Sequence, residues 1–118
     1  MINRIRIEQI EYELFQLQQE KEDYEDCCTL FKKEIIEEGE DIDWLHRKHC
    51  DQYRHIDQEM HDQSLLDLIE NNQELIDKVQ AMREELIKAI DEEDQNHRLQ
   101  CEAKEDELRK ELAILAVM

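Results

Sequence analysis

The sequence predicts an all-α fold, an elongated antiparallel helical hairpin or coiled coil. Three observations predict it. The 118 residues include one Gly and no Pro, so turn residues are nearly absent against the usual share of about 7% Gly and about 5% Pro. Charged residues make up 41% of the chain and apolar ones 40%. The apolar residues recur at helical spacing. Strand-rich folds need turn signals every eight to twelve residues or so and are excluded. A Gly-rich phosphate-binding loop is excluded as well, since one Gly cannot build it.

The first segment carries the clearest period. Ile7, Ile10, Leu14, Leu17, Lys21, Tyr24, Cys28, Phe31 and Ile35 alternate steps of three and four, the a/d seam of a coiled coil. Lys21 alone interrupts its apolar character, either snorkelling out of the seam or fixing register as a polar seam residue does; the first reading is preferred. Gly39 sits where the seam stops, and is read as a helix C-cap with Asp41 or Asp43 as the next N-cap. Helix 1 then covers about 3–37, roughly 50 Å at 1.5 Å per residue, and a turn falls at 38–41.

Helix 2 runs from about 42 to 113. Its stripe is weak over Trp44, Leu45, Tyr53, Ile56 and Met60, and its most polar point is 61–64, where a break is the competing reading. Ser64-Leu65-Leu66-Asp67 resembles a capping box at that point. The stripe strengthens from Leu65 to Ile90, thins to His97, Leu99, Cys101 and Ala103, and recovers at Leu108, Leu112 and Leu115. The whole chain is read as one domain. A three-helix bundle is the alternative if 61–64 is a true turn.

The charge limits the partners. With 33 Asp+Glu against 15 Lys+Arg the net charge is −18, which repels phosphate backbones and anionic lipid surfaces, so neither nucleic acid nor membrane insertion is expected. The start, Met1 to Ile7, has two Arg and no apolar signal core, and the longest apolar run is the seven residues 112–118. A cytoplasmic chain with Cys27, Cys28, Cys50 and Cys101 as free thiols is expected.

A hairpin closed at Gly39 leaves the Leu65–Ile90 stripe overhanging, since helix 1 reaches only about half of helix 2. An apolar patch of that extent marks an interface, because burying each Leu or Ile is worth about 1.5–3 kcal/mol. The residues assigned to partner binding are Leu68, Ile69, Leu75 and Ile76. Val79, Met82, Leu86 and Ile90 continue the same stripe. Trp44 is either an anchor or packs on helix 1 beside the turn. The partner is a cognate helical protein or a second copy of the chain in a homodimer.

Chemistry is not expected. Acidic pairs occur throughout with no cleft to shift them, and no loop holds a nucleophile, so the chain is read as no enzyme, with no catalytic residue and no cofactor. The one metal reading groups His46, His49 and Cys50 on one helix face with Cys28 opposite Cys50 across the hairpin, a tetrahedral zinc set. It is weakened by the absence of Cys-x-x-Cys and by nearby Lys33, Arg47 and Lys48.

Ile7-Glu-Gln-Ile-Glu-Tyr-Glu-Leu14, Leu30-Phe31-Lys32-Lys33-Glu34 and Glu84-Glu85-Leu86 within a long acidic helix make the chain similar to a known family. It resembles the small α-helical targeting factors of LXG-toxin export by type VIIb secretion systems, and among them the second of the two partner types. The resemblance implies a helical adaptor or chaperone that packs on the LXG domain together with a second small helical factor, keeping the toxin competent for export and either leaving the cell with it or staying in the cytoplasm. The Trp-x-Gly turn of related secreted proteins is replaced here by Trp44-Leu45-His46. Tyr53-Arg-His-Ile-Asp57 matches the Tyr-x-x-x-acid export pattern, but in mid-helix.

Overall fold

The structure is a computed structural model that describes residues 2–60 and 63–117. It is all-helical: α1 spans Ile2–Met60 and α2 spans Gln63–Val117, two long helices forming a helical hairpin. Two compact units divide the pair. The first joins Met1–Leu30 to Ile90–Met118, and the second is Phe31–Ala89.

In the first unit, cross-helix contacts step forward along α1 as they step back along α2. Arg6 meets Glu111, Lys21 meets Glu105, and Glu25 meets Arg98. In the second unit Asp43 meets Arg83 and His46 meets Gln73. Both units are therefore antiparallel.

The α1 seam follows the expected heptads as far as Cys28. Ile7, Leu14, Leu17, Lys21, Tyr24 and Cys28 are half-buried and Ile10 is fully buried. Beyond Cys28 the inward positions become Lys32, Ile35, Gly39, Asp43, His46 and Cys50. Steps of four, three and four replace the heptad, so the repeat lengthens to 11 residues, which relaxes the left-handed winding of a heptad seam. Phe31, expected in the seam, is half exposed while Lys32 takes the inward place.

The helix boundaries differ from the sequence reading. The turn at 38–41 is absent: α1 continues through it for another twenty residues. One Gly in a helix interior costs only about 1 kcal/mol relative to Ala, and no Pro reinforces a stop. Gly39 is buried in the seam, and a Cβ placed there would collide with the Arg83 guanidinium. Its glycine character thus admits a cation from the opposite helix rather than a reversal of the chain. Arg83 reaches across to Asp43 at 3.1 Å. The Gln80 side-chain hydrogen bond and then that of Arg83 hold the Asp43 carboxyl below its ordinary range.

The competing reading of a break at 61–64 falls partly on residues 61 and 62, which lie outside the described residues. Gln63 and Ser64 belong to the first turn of α2. With helices of 59 and 55 residues, the overhang that a turn at Gly39 would leave does not arise, because 65–89 clusters with α1 residues 31–60 in the second unit.

Lys21 does not snorkel. Its side chain is 16% exposed and its Nζ lies 2.8 Å from Oε1 of Glu105, whose residue is 3% exposed. Glu105 also accepts from Arg109 at 3.2 Å. An ion pair this buried gives little net stability but penalises any alternative register, which would strand one charge.

Candidate functional site: an apolar edge of the second unit

Four α2 residues assigned to partner binding face the seam: Ile69 is buried, and Ile76, Val79 and Ile90 are half-buried. The others do not. Leu75 is 60% and Met82 67% exposed, and Leu68 and Leu86 are exposed as well. The stripe read from the sequence as one surface is thus two: a seam that α1 covers and a row that it leaves open.

The open row has a simple register. Leu68 stands one position before Ile69, Leu75 before Ile76, Met82 before Arg83 and Leu86 before Ile87, each the neighbour of a seam residue. A one-residue step turns the helix by about 100°, so all four point to the same side of the seam. In α1 of the same unit, Phe31, Ile42 and Leu45 stand in the same relation to Lys32, Asp43 and His46, and are also exposed.

Positions of this kind on two antiparallel helices border one common edge, because the opposite chain directions and the opposite facing of the two seams cancel. The first unit shows this directly. Arg6 precedes seam residue Ile7, Glu111 precedes seam residue Leu112, and the two meet in a two-point ion pair, each bond 2.8 Å. That contact holds Glu111 below the ordinary carboxylate range. The apolar row of α1 and that of α2 therefore share one edge of the second unit.

The two units use this edge differently. In the first, most of its positions are polar, with Arg6, Glu13 and Glu20 on α1 and Glu93, Lys104 and Glu111 on α2. Charged flanks are what a two-stranded coiled coil needs. In the second, large apolar side chains hold seven of these places, set among polar ones such as Glu34, Glu38, Asn71 and Lys78. A stripe that includes the flank as well as a and d is the width a helix shows when it faces more than one neighbour.

Trp44 follows Asp43 instead of preceding it, so it lies off this edge. It is 57% exposed, with Lys48 Nζ 5.2 Å from its ring centroid. It neither packs beside a turn nor joins the row.

The metal set read from sequence does not assemble. Cys28 and Cys50 lie on one helix, about six turns apart, because the chain does not reverse at Gly39. His49 is exposed, whereas His46 Nε2 lies 3.5 Å from Cys50 Sγ and 3.2 Å from Gln73 Oε1. All four cysteines are free thiols.

A second His/Cys pair went unread. His97 and Cys101 repeat the His-Arg-x-x-Cys spacing of His46 and Cys50, and both pairs occupy consecutive seam positions. His97 Nε2 is 3.8 Å from Cys101 Sγ and 3.3 Å from Glu20 Oε1. The His97 ring stacks on Tyr24, centroids 3.9 Å apart and planes 17° apart. Burial, followed by neighbouring negative groups, raises the Tyr24 phenol. Burial and then Glu20 raise the Cys101 thiol.

No family model, no curated protein and no solved structure matches this chain. Among the described residues no helix is long and apolar enough to cross a membrane.

Proposed function

We propose that this chain is a non-enzymatic adaptor, a targeting chaperone that docks the apolar edge of its second unit against a helix of a cognate protein. The carrying observation is the row of seven exposed large apolar side chains on that edge, against polar flanks in the first unit. Each is worth about 1.5–3 kcal/mol on full burial, and a third helix laid along the edge buries them together. The occupant is an amphipathic helix with an apolar stripe, and basic flanks suit it to a chain of net charge −18.

The resemblance carried by Ile7–Leu14, Leu30–Glu34 and Glu84–Leu86 supports one source for that helix, the LXG domain of a toxin exported by a type VIIb system. A second small helical factor joins the complex. The adaptor acts in the cytoplasm by covering apolar surface and completing a bundle, and travels with the toxin or stays behind.

Co-expression with an LXG domain of a type VIIb toxin tests this reading. The wild-type chain co-purifies with that domain, and Leu75→Glu with Met82→Glu abolishes the complex while circular dichroism of the isolated chain is unchanged. Retention of the complex by that double variant contradicts the assigned edge. A dilution-resistant homodimer that Leu75→Glu dissociates, with no LXG complex, establishes the self-associating structural coiled coil instead.

A further inference from the structure

We propose that Glu20, His97 and Cys101 form a binding site for a divalent transition metal of the zinc class, joining the two helices of the first unit. Glu20 comes from α1, His97 and Cys101 from α2, so the site forms only when the helices pair in this register. The three ligand atoms all lie within 4.8 Å of one another.

The distances suit a tetrahedral ion. Zinc–ligand bonds of about 2.0–2.3 Å place tetrahedral ligand atoms roughly 3.3–3.8 Å apart. The His97 Nε2 to Glu20 Oε1 separation is 3.3 Å, and that from Nε2 to Cys101 Sγ is 3.8 Å. Both short edges share Nε2, and the third, from the Glu20 carboxylate to the Cys101 sulfur, lies within 4.8 Å.

The donor set selects the metal. A thiolate with an imidazole favours zinc-class ions over calcium or magnesium, which prefer oxygen alone. Three protein ligands leave a fourth position for water. A shallow depression lined by Gln16, Glu20, Tyr24 and His97 gives solvent access, and the stacked Tyr24 ring fixes the imidazole plane, as outer residues do around metal-bound histidines.

The matching pair in the second unit sharpens the assignment. His46 and Cys50 repeat the spacing, but their partner across the hairpin is Gln73. A neutral amide in place of a carboxylate leaves two good ligands instead of three.

Cobalt(II) added to the full-length reduced chain at neutral pH is the test, because a thiolate–cobalt bond gives near-ultraviolet absorption that a carboxylate-only site lacks. The proposal expects one equivalent of cobalt per chain, the thiolate band, and displacement by zinc. Cys101→Ser abolishes the band and His97→Gln abolishes tight binding. Glu20→Gln, an exposed substitution that leaves the helices intact by circular dichroism, weakens binding at least about tenfold. Cys50→Ser with His46→Gln changes nothing. Absence of the thiolate band in the wild-type chain overturns the proposal. So does a band that survives Cys101→Ser, or affinity unmoved by Glu20→Gln.

Discussion

Two seam residues show how single side chains set the pairing. Lys21 and Glu105 form an ion pair buried between the helices. Replacing Glu105 alone by Leu leaves the Lys21 ammonium without its cross-helix partner, and urea unfolding is expected to show a loss of about 1–3 kcal/mol. Replacing both by Leu restores stability to wild type or above, as apolar substitutes for buried pairs do. A double variant as unstable as the single one contradicts the register role. Gly39 makes the complementary case. Gly39→Ala in an Arg83→Ala background is expected to stabilise by about 1 kcal/mol through helix propensity. In the wild-type background the gain shrinks or reverses, because the new Cβ displaces the guanidinium. Equal effects in the two backgrounds in a thermal-melt cycle contradict the notch.

At the scale of the helices, periodicity made the class legible and composition misplaced the turn. The 3–4 spacing of Ile7 to Cys28 needs only local geometry, and the structure keeps every one of those positions inward. Gly39 was misread because a lone glycine signals equally a chain reversal and a close approach, and the residue that decides, Arg83, is 44 positions away in sequence. The Leu65–Ile90 stripe was legible as apolar but not as two surfaces. Separating Ile69 from Leu68, or Ile76 from Leu75, requires knowing which neighbour the seam takes. The same limit hid Glu20, His97 and Cys101, which meet only once the register of the hairpin is known. Their one sequence signal is the repeated His-Arg-x-x-Cys spacing at 46–50 and 97–101.

For the whole molecule, the central claim is a division of labour between two units on the same pair of helices. The first closes its edge with charge, as at Arg6 and Glu111. The second leaves its edge apolar at Phe31, Ile42 and Leu45 on one helix and Leu68, Leu75, Met82 and Leu86 on the other. A net charge of −18 opposes self-association through such a surface. Amide hydrogen exchange on the chain alone and in the complex proposed with an LXG domain tests this division most directly. The account predicts that added protection concentrates in 31–56 and 63–89. Protection confined to 3–30 and 90–117, with 63–89 exchanging as in the free chain, would contradict it.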